Sequence, residues 1–191
     1  MKKVFYNIFV FSIPVFLLFT LYSQMCATKV VDIHSSIKHV TTVSSDSYRS
    51  MDISTGMVLI PSSEPVLEMI AVNDLFQYMK AISDSYSGES AYKVLSEVEE
   101  VYSDALGSKS SLFTNAYEMT VRDIIKMFKD YSMFGKDSTV YSMSKSSLES
   151  SLQTLKMISM LKIVTFVVLL VCAIVGVVLL RVKYTRNLSH K

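Results

Sequence analysis

The chain has 191 residues, half of them hydrophobic, and a formal net charge of only +2. That is more apolar than a soluble domain of this size usually is. The charge is too small and too dispersed for a nucleic-acid binder, and the chain carries no recognisable nucleic-acid motif.

The N-terminus opens the case for a membrane. Lys2 and Lys3 precede VFYNIFVFSIPVFLLFTLYS, the pattern of a basic n-region and an apolar h-region, interrupted by Pro14. Residues 1–27 are expected to be a signal peptide. The candidate cleavage points follow Ser23, with Leu21 at −3, and Ala27, with Met25 at −3. Neither fits the small-x-small rule, so retention as an N-terminal anchor is the alternative. In both cases the two lysines hold the N-terminus in the cytosol.

Residues 28–61 are the least regular part of the pattern. Val30, Ile33, Ile37 and Val40 share a helix face, which predicts a helix over 29–42, although the Val and Thr content of HVTTVSS also suits a strand. Residues 44–56 read as a loop.

The segment 62–156 reads as a helical bundle. SSEPVLEMIAVNDLFQYMKAIS has a serine before its start and proline in its first turn. SAYKVLSEVEEVYSDALG places Ala91, Val94, Leu95, Val98, Val101, Tyr102, Ala105 and Leu106 at helical spacing, and Gly107 follows as a stop. SSLFTNAYEMTVRDIIKMFKDYSMFG repeats this, with Ser110 or Ser111 as a cap, a stripe from Phe113 to Tyr131, and Gly135 at its end. A last helix starts near Asp137 or Ser138 and carries Tyr141, Leu148, Leu152 and Leu155. No breaker separates it from the next segment, so one helix is predicted from about 138 to about 183.

Residues 157–181 read as a transmembrane helix. Ile163 to Leu180 contains no charge, and at ~1.5 Å per residue it reaches roughly the thickness of a bilayer core. Lys162 on one side, and Arg181 and Lys183 on the other, are its flanking charges. Thr165, Cys172 and Gly176 recur at spacings that bring small residues to one face, where helices approach closely. The tail, 182–191, is short and basic and is expected in the cytosol.

Fold class is therefore all-α: a small antiparallel helical bundle ectodomain whose last helix continues into a C-terminal transmembrane helix. The flanks outside 28–162 hold six basic residues and no acidic one, and all 17 acids lie between them. The bundle is expected to be lumenal or extracellular, in a secretory-pathway or cell-surface membrane. It has no interior cysteine: Cys26 lies at the cleavage border and Cys172 in the apolar run. Its stability must come from packing or assembly rather than disulfides. The only Asn-x-Ser/Thr triplet, Asn187–Ser189, lies in the tail, away from the glycosylation machinery.

Little in the sequence suggests catalysis. His34 and His39 are five apart and share no face in either a helix or a strand. Glu97, Glu99 and Glu100 read as a solvated helix face. Calcium loops, phosphate-binding glycine loops and nucleophile elbows are absent from the sequence. The expectation is a non-enzymatic, single-pass type I protein without cofactor, metal or small-molecule substrate. Its partners would be membrane lipid and another protein or further copies of itself. The alternative is a two-span scaffold or complex subunit that keeps its first segment.

Overall fold

The computed structural model describes residues 2–38, 63–106 and 115–189. They form five helices: α1 (Lys2–Lys38), α2 (Glu64–Ser85), α3 (Glu89–Leu106), α4 (Asn115–Phe134) and α5 (Thr139–Ser189). No strand occurs among the described residues. His39, Gly107, Ser110, Ser111 and Phe113 lie outside them, as does the part of the predicted 29–42 helix beyond Lys38.

The local signals explain the element ends. Ser63 stands before α2 and proline occupies its first turn, yet the Ser63 side chain makes no capping bond. Ser138 does cap α5: its hydroxyl accepts a hydrogen bond from the Tyr141 N–H at 3.1 Å. Gly135 closes α4 with φ +76°, a conformation that favours glycine.

Two differences from the sequence reading matter. First, α1 does not stop at a cleavage border. It runs 37 residues without a break, and its second half supplies Ala27, Val30, Ile33 and Ile37 to the core. The segment from 28 to 38 is thus a core helix, as the pattern from residue 29 predicts, and it is continuous with the apolar segment before it. Second, α5 is 51 residues long and continues to Ser189, six residues past the expected end.

Contacts give the helix directions. Tyr6 meets Lys183, and Phe16 meets Phe166 at 5.5 Å between ring centroids, so α1 and α5 run oppositely. Phe76 packs on Phe128 while Glu64 and Ala116 line one groove, so α2 and α4 run together. Tyr131 meets Tyr141 and Asp123 meets Ser151, so α5 returns along α4. Tyr102 donates to the Glu118 carbonyl at 2.9 Å and Lys129 reaches Glu99, so α3 runs against α4. Helices α1, α2 and α4 therefore point one way, and α3 and α5 the other.

The core is one cluster from all five helices, with Leu67, Leu75, Met79, Leu95, Tyr102, Tyr117, Ile124 and Leu155 fully buried. Two helices are long and apolar enough to cross a membrane, α1 near the N-terminus and α5. Their apolar surfaces are exposed from Val4 to Met25 and from Met157 to Val182. At ~1.5 Å per residue each run covers somewhat more than ~30 Å, the bilayer core.

A candidate functional site at the junction of bundle and apolar hairpin

Where the bundle meets the paired apolar helices, charge is buried. Lys162 leaves α5 just inside the exposed apolar run that begins at Met157. A lysine here could extend its ammonium outward to water. Instead it turns inward. Its Nζ lies 2.8 Å from Glu64 Oε1 and 3.0 Å from Glu68 Oε1, and both carboxylates are buried on the first turns of α2. The α2 helix begins here because Glu64 and Pro65 suit a first turn, and Glu68 follows one turn later on the same face.

The electrostatics are unbalanced by design of the sequence: two acids face one base. Burial pushes the Glu68 carboxyl up to about 7, against the attraction of Lys162, while Glu64 adds to the rise. The Tyr117 hydroxyl of α4 is neutral at such pH, because burial raises it. Near neutrality the Glu68 carboxyl is therefore about half protonated.

This fixes a sign for pH dependence. The native state holds a proton on Glu68 that the unfolded chain, near the ordinary value of 4.5, releases earlier. The stabilisation is complete below about pH 4.5, declines as pH rises, and is gone above about 7, a range worth about 3 kcal/mol. The Glu68→Gln variant is expected to match wild type near pH 4.5 and to exceed its unfolding free energy by up to about 3 kcal/mol at pH 8. Denaturant titrations in detergent across pH 4.5–8 check this; parallel curves would refute it.

Two further buried pairs tie α1 to the bundle. Lys29 lies 3.0 Å from Glu118 of α4. His34 Nε2 lies 2.8 Å from Asp74 Oδ2 of α2, both side chains being buried. Sequence reasoning saw no partner for His34 because Asp74 is forty residues away and on another helix. The acids of α2 and α4 are thus matched to bases on α1 and α5, a pattern that sets helix pairing and register more than it adds net stability.

Below the charged cluster the two apolar helices pack closely. Gly176 faces Phe9, and a Cβ built there would come 2.3 Å from the Phe9 carbonyl oxygen. Cys172 is half-buried, and Thr165 lines a groove of about 590 Å³ with Phe19, Tyr22 and Leu161. Of the three small residues singled out from the sequence, Gly176 is the one that brings backbones together. Among the flanking charges, Arg181 is exposed and Lys183 sits over the Tyr6 ring, 4.9 Å from its centroid.

Glu97, Glu99 and Glu100 are exposed, and Glu99 pairs with Lys129. No group of three or more His, Cys, Asp or Glu able to hold a metal occurs among the described residues. No known protein family, curated protein or solved structure matches the chain.

Proposed function

We propose that this is a two-span membrane protein that acts as a non-enzymatic scaffold or complex subunit. Residues 1–27 are retained, and α1 and α5 form an antiparallel hairpin through the bilayer. Both ends are cytosolic, and the five-helix bundle stands on the lumenal or extracellular face as a protein-interaction or oligomerisation module.

One observation carries this reading: α1 runs unbroken from its apolar half into the bundle core. Cleavage after Ala27 would strip Cys26 and Ala27 from the core and remove Phe9 and Phe16 from α5. Gly176 and the buried Ala173 would then face lipid instead of a close-packed helix. The charge pattern supports the same topology, because the five basic residues at the start of α1 and the end of α5 fall at one end of the hairpin. A bundle held on two rigid helices, with no linker, keeps its surface at a fixed height above the lipid. Contact is the work such a geometry suits.

Intact mass of the mature protein extracted from membranes tests the reading. The expected mass includes residues 2–27. A mature chain beginning at Gln24 or Thr28 would replace this proposal with the single-pass type I form.

A further inference from the structure

Opposite the bundle, the hairpin ends in a concentration of positive charge drawn from both termini of the chain. Helix α1 starts at Lys2, with Lys3 next in register. Helix α5 does not stop at the end of its apolar run but continues to Ser189, roughly 13 Å beyond Leu180 at ~1.5 Å per residue. Arg181, Lys183 and Arg186 lie on this extension and are exposed. The contact of Lys183 with the Tyr6 ring sets the two ends at one level. A cation held over a ring keeps its charge, so the contact positions Lys183 without neutralising it.

The balancing acids are far away. The first acidic residue is Asp32 and the last is Glu149, both at the bundle side of the apolar runs. Five basic residues thus lie on the ends of two helices with no acidic side chain near them in sequence. Of the three cations between the collar and the first and last acids, Lys29 and Lys162 have buried carboxylate partners, and Lys156 is exposed.

The heights match a headgroup layer. With a core of ~30 Å and ~40–45 Å overall, each polar layer is about 5–7 Å deep. Arg181 and Lys183 fall within that depth past Leu180, and Arg186 falls just beyond it. We propose that this basic collar binds the anionic phospholipid headgroups of the leaflet at the chain termini, recruiting acidic lipid around the hairpin. The proposal rests on the two-span reading, since Lys2 and Lys3 contribute only if residues 1–27 are kept. Each basic residue near an anionic surface adds about fivefold to association, and the attraction decays over about 8 Å at physiological salt.

The test uses the full chain in phosphatidylcholine bilayers, with trace spin-labelled phosphatidylserine or spin-labelled phosphatidylcholine. The fraction of each label held immobile at the protein is measured. Intact mass of the same sample is read first, so loss of residues 1–27, which overturns the two-span reading, is separated from loss of lipid preference. The expected result is a several-fold preference for phosphatidylserine at low salt. It should fade toward 1 M salt and vanish in the Lys2→Gln, Lys3→Gln, Arg181→Gln, Lys183→Gln, Arg186→Gln variant. Equal immobile fractions of the two lipids, with the chain intact, would overturn the collar. So would a phosphatidylserine preference that survives the five substitutions.

Discussion

Replacing Lys162 with methionine is expected to destabilise the protein by about 3–5 kcal/mol at pH 7.5. Methionine is close to lysine in length and flexibility, so packing at the α2–α5 contact changes little. What is lost is the cation facing two carboxylates, at 2.8 and 3.0 Å, that are themselves almost inaccessible to water. An ion pair of this kind adds little net stability when formed, but removal of one partner strands the other. Here it strands two. The loss should shrink as pH falls toward 5, because the raised Glu68 carboxyl then holds its proton. It should also be largely recovered in Lys162→Met combined with Glu64→Gln and Glu68→Gln. Denaturant unfolding in detergent, followed by circular dichroism, measures all three. A Lys162→Met protein within 1 kcal/mol of wild type at pH 7.5 would mean that the cluster does not hold α2 on the hairpin.

The position of Lys162 shows where sequence reading reached its limit. Its place beside an uncharged run was legible, and a flanking lysine ordinarily projects to the interface. Its partners were not legible. Glu64 and Glu68 lie 98 and 94 residues away, and no local periodicity relates them. The same holds for His34 and Asp74, and for Lys29 and Glu118. Helix existence behaved differently. The stripes in α3 and α4, the proline in the first turn of α2 and the glycine after α4 are all local, and each structured element lies where they put it.

Helix α1 is the instructive exception. A basic start followed by an apolar stretch fits a cleaved signal and a retained anchor equally well, since translocation reads only those properties. The stronger clue was continuity. Val30, Ile33 and Ile37 extend a seam that begins in the apolar half, where Tyr6, Phe9, Ile13, Phe16, Thr20 and Ser23 are shielded at similar three- and four-residue steps. A seam that crosses a cleavage border implies one partner on both sides of it. That partner is α5, which takes up the matching face along its own apolar run and then along the bundle.

Gly176 gives the sharpest test of that shared seam. A side chain there cannot escape by rotation, because the atom a Cβ would meet at 2.3 Å is the Phe9 backbone oxygen, with the Phe9 carbonyl carbon at 2.9 Å and Ile13 behind it. The helices themselves must separate. Even Gly176→Ala is expected to cost about 1–3 kcal/mol, the range for forced overpacking, and Gly176→Leu more. This runs against intuition for an apolar helix, since alanine and leucine are the better helix formers and suit lipid at least as well. The sign therefore separates the two topologies. If α1 is retained, hairpin stability falls in the order Gly, Ala, Leu, and the phosphorescent or spin-label distance between positions near Tyr6 and Lys183 lengthens. If α1 is removed in the mature chain, Gly176 faces lipid and the same substitutions leave stability unchanged or raise it slightly. Unfolding measurements on the three proteins in one bilayer or detergent thus report whether the first span belongs to the working molecule.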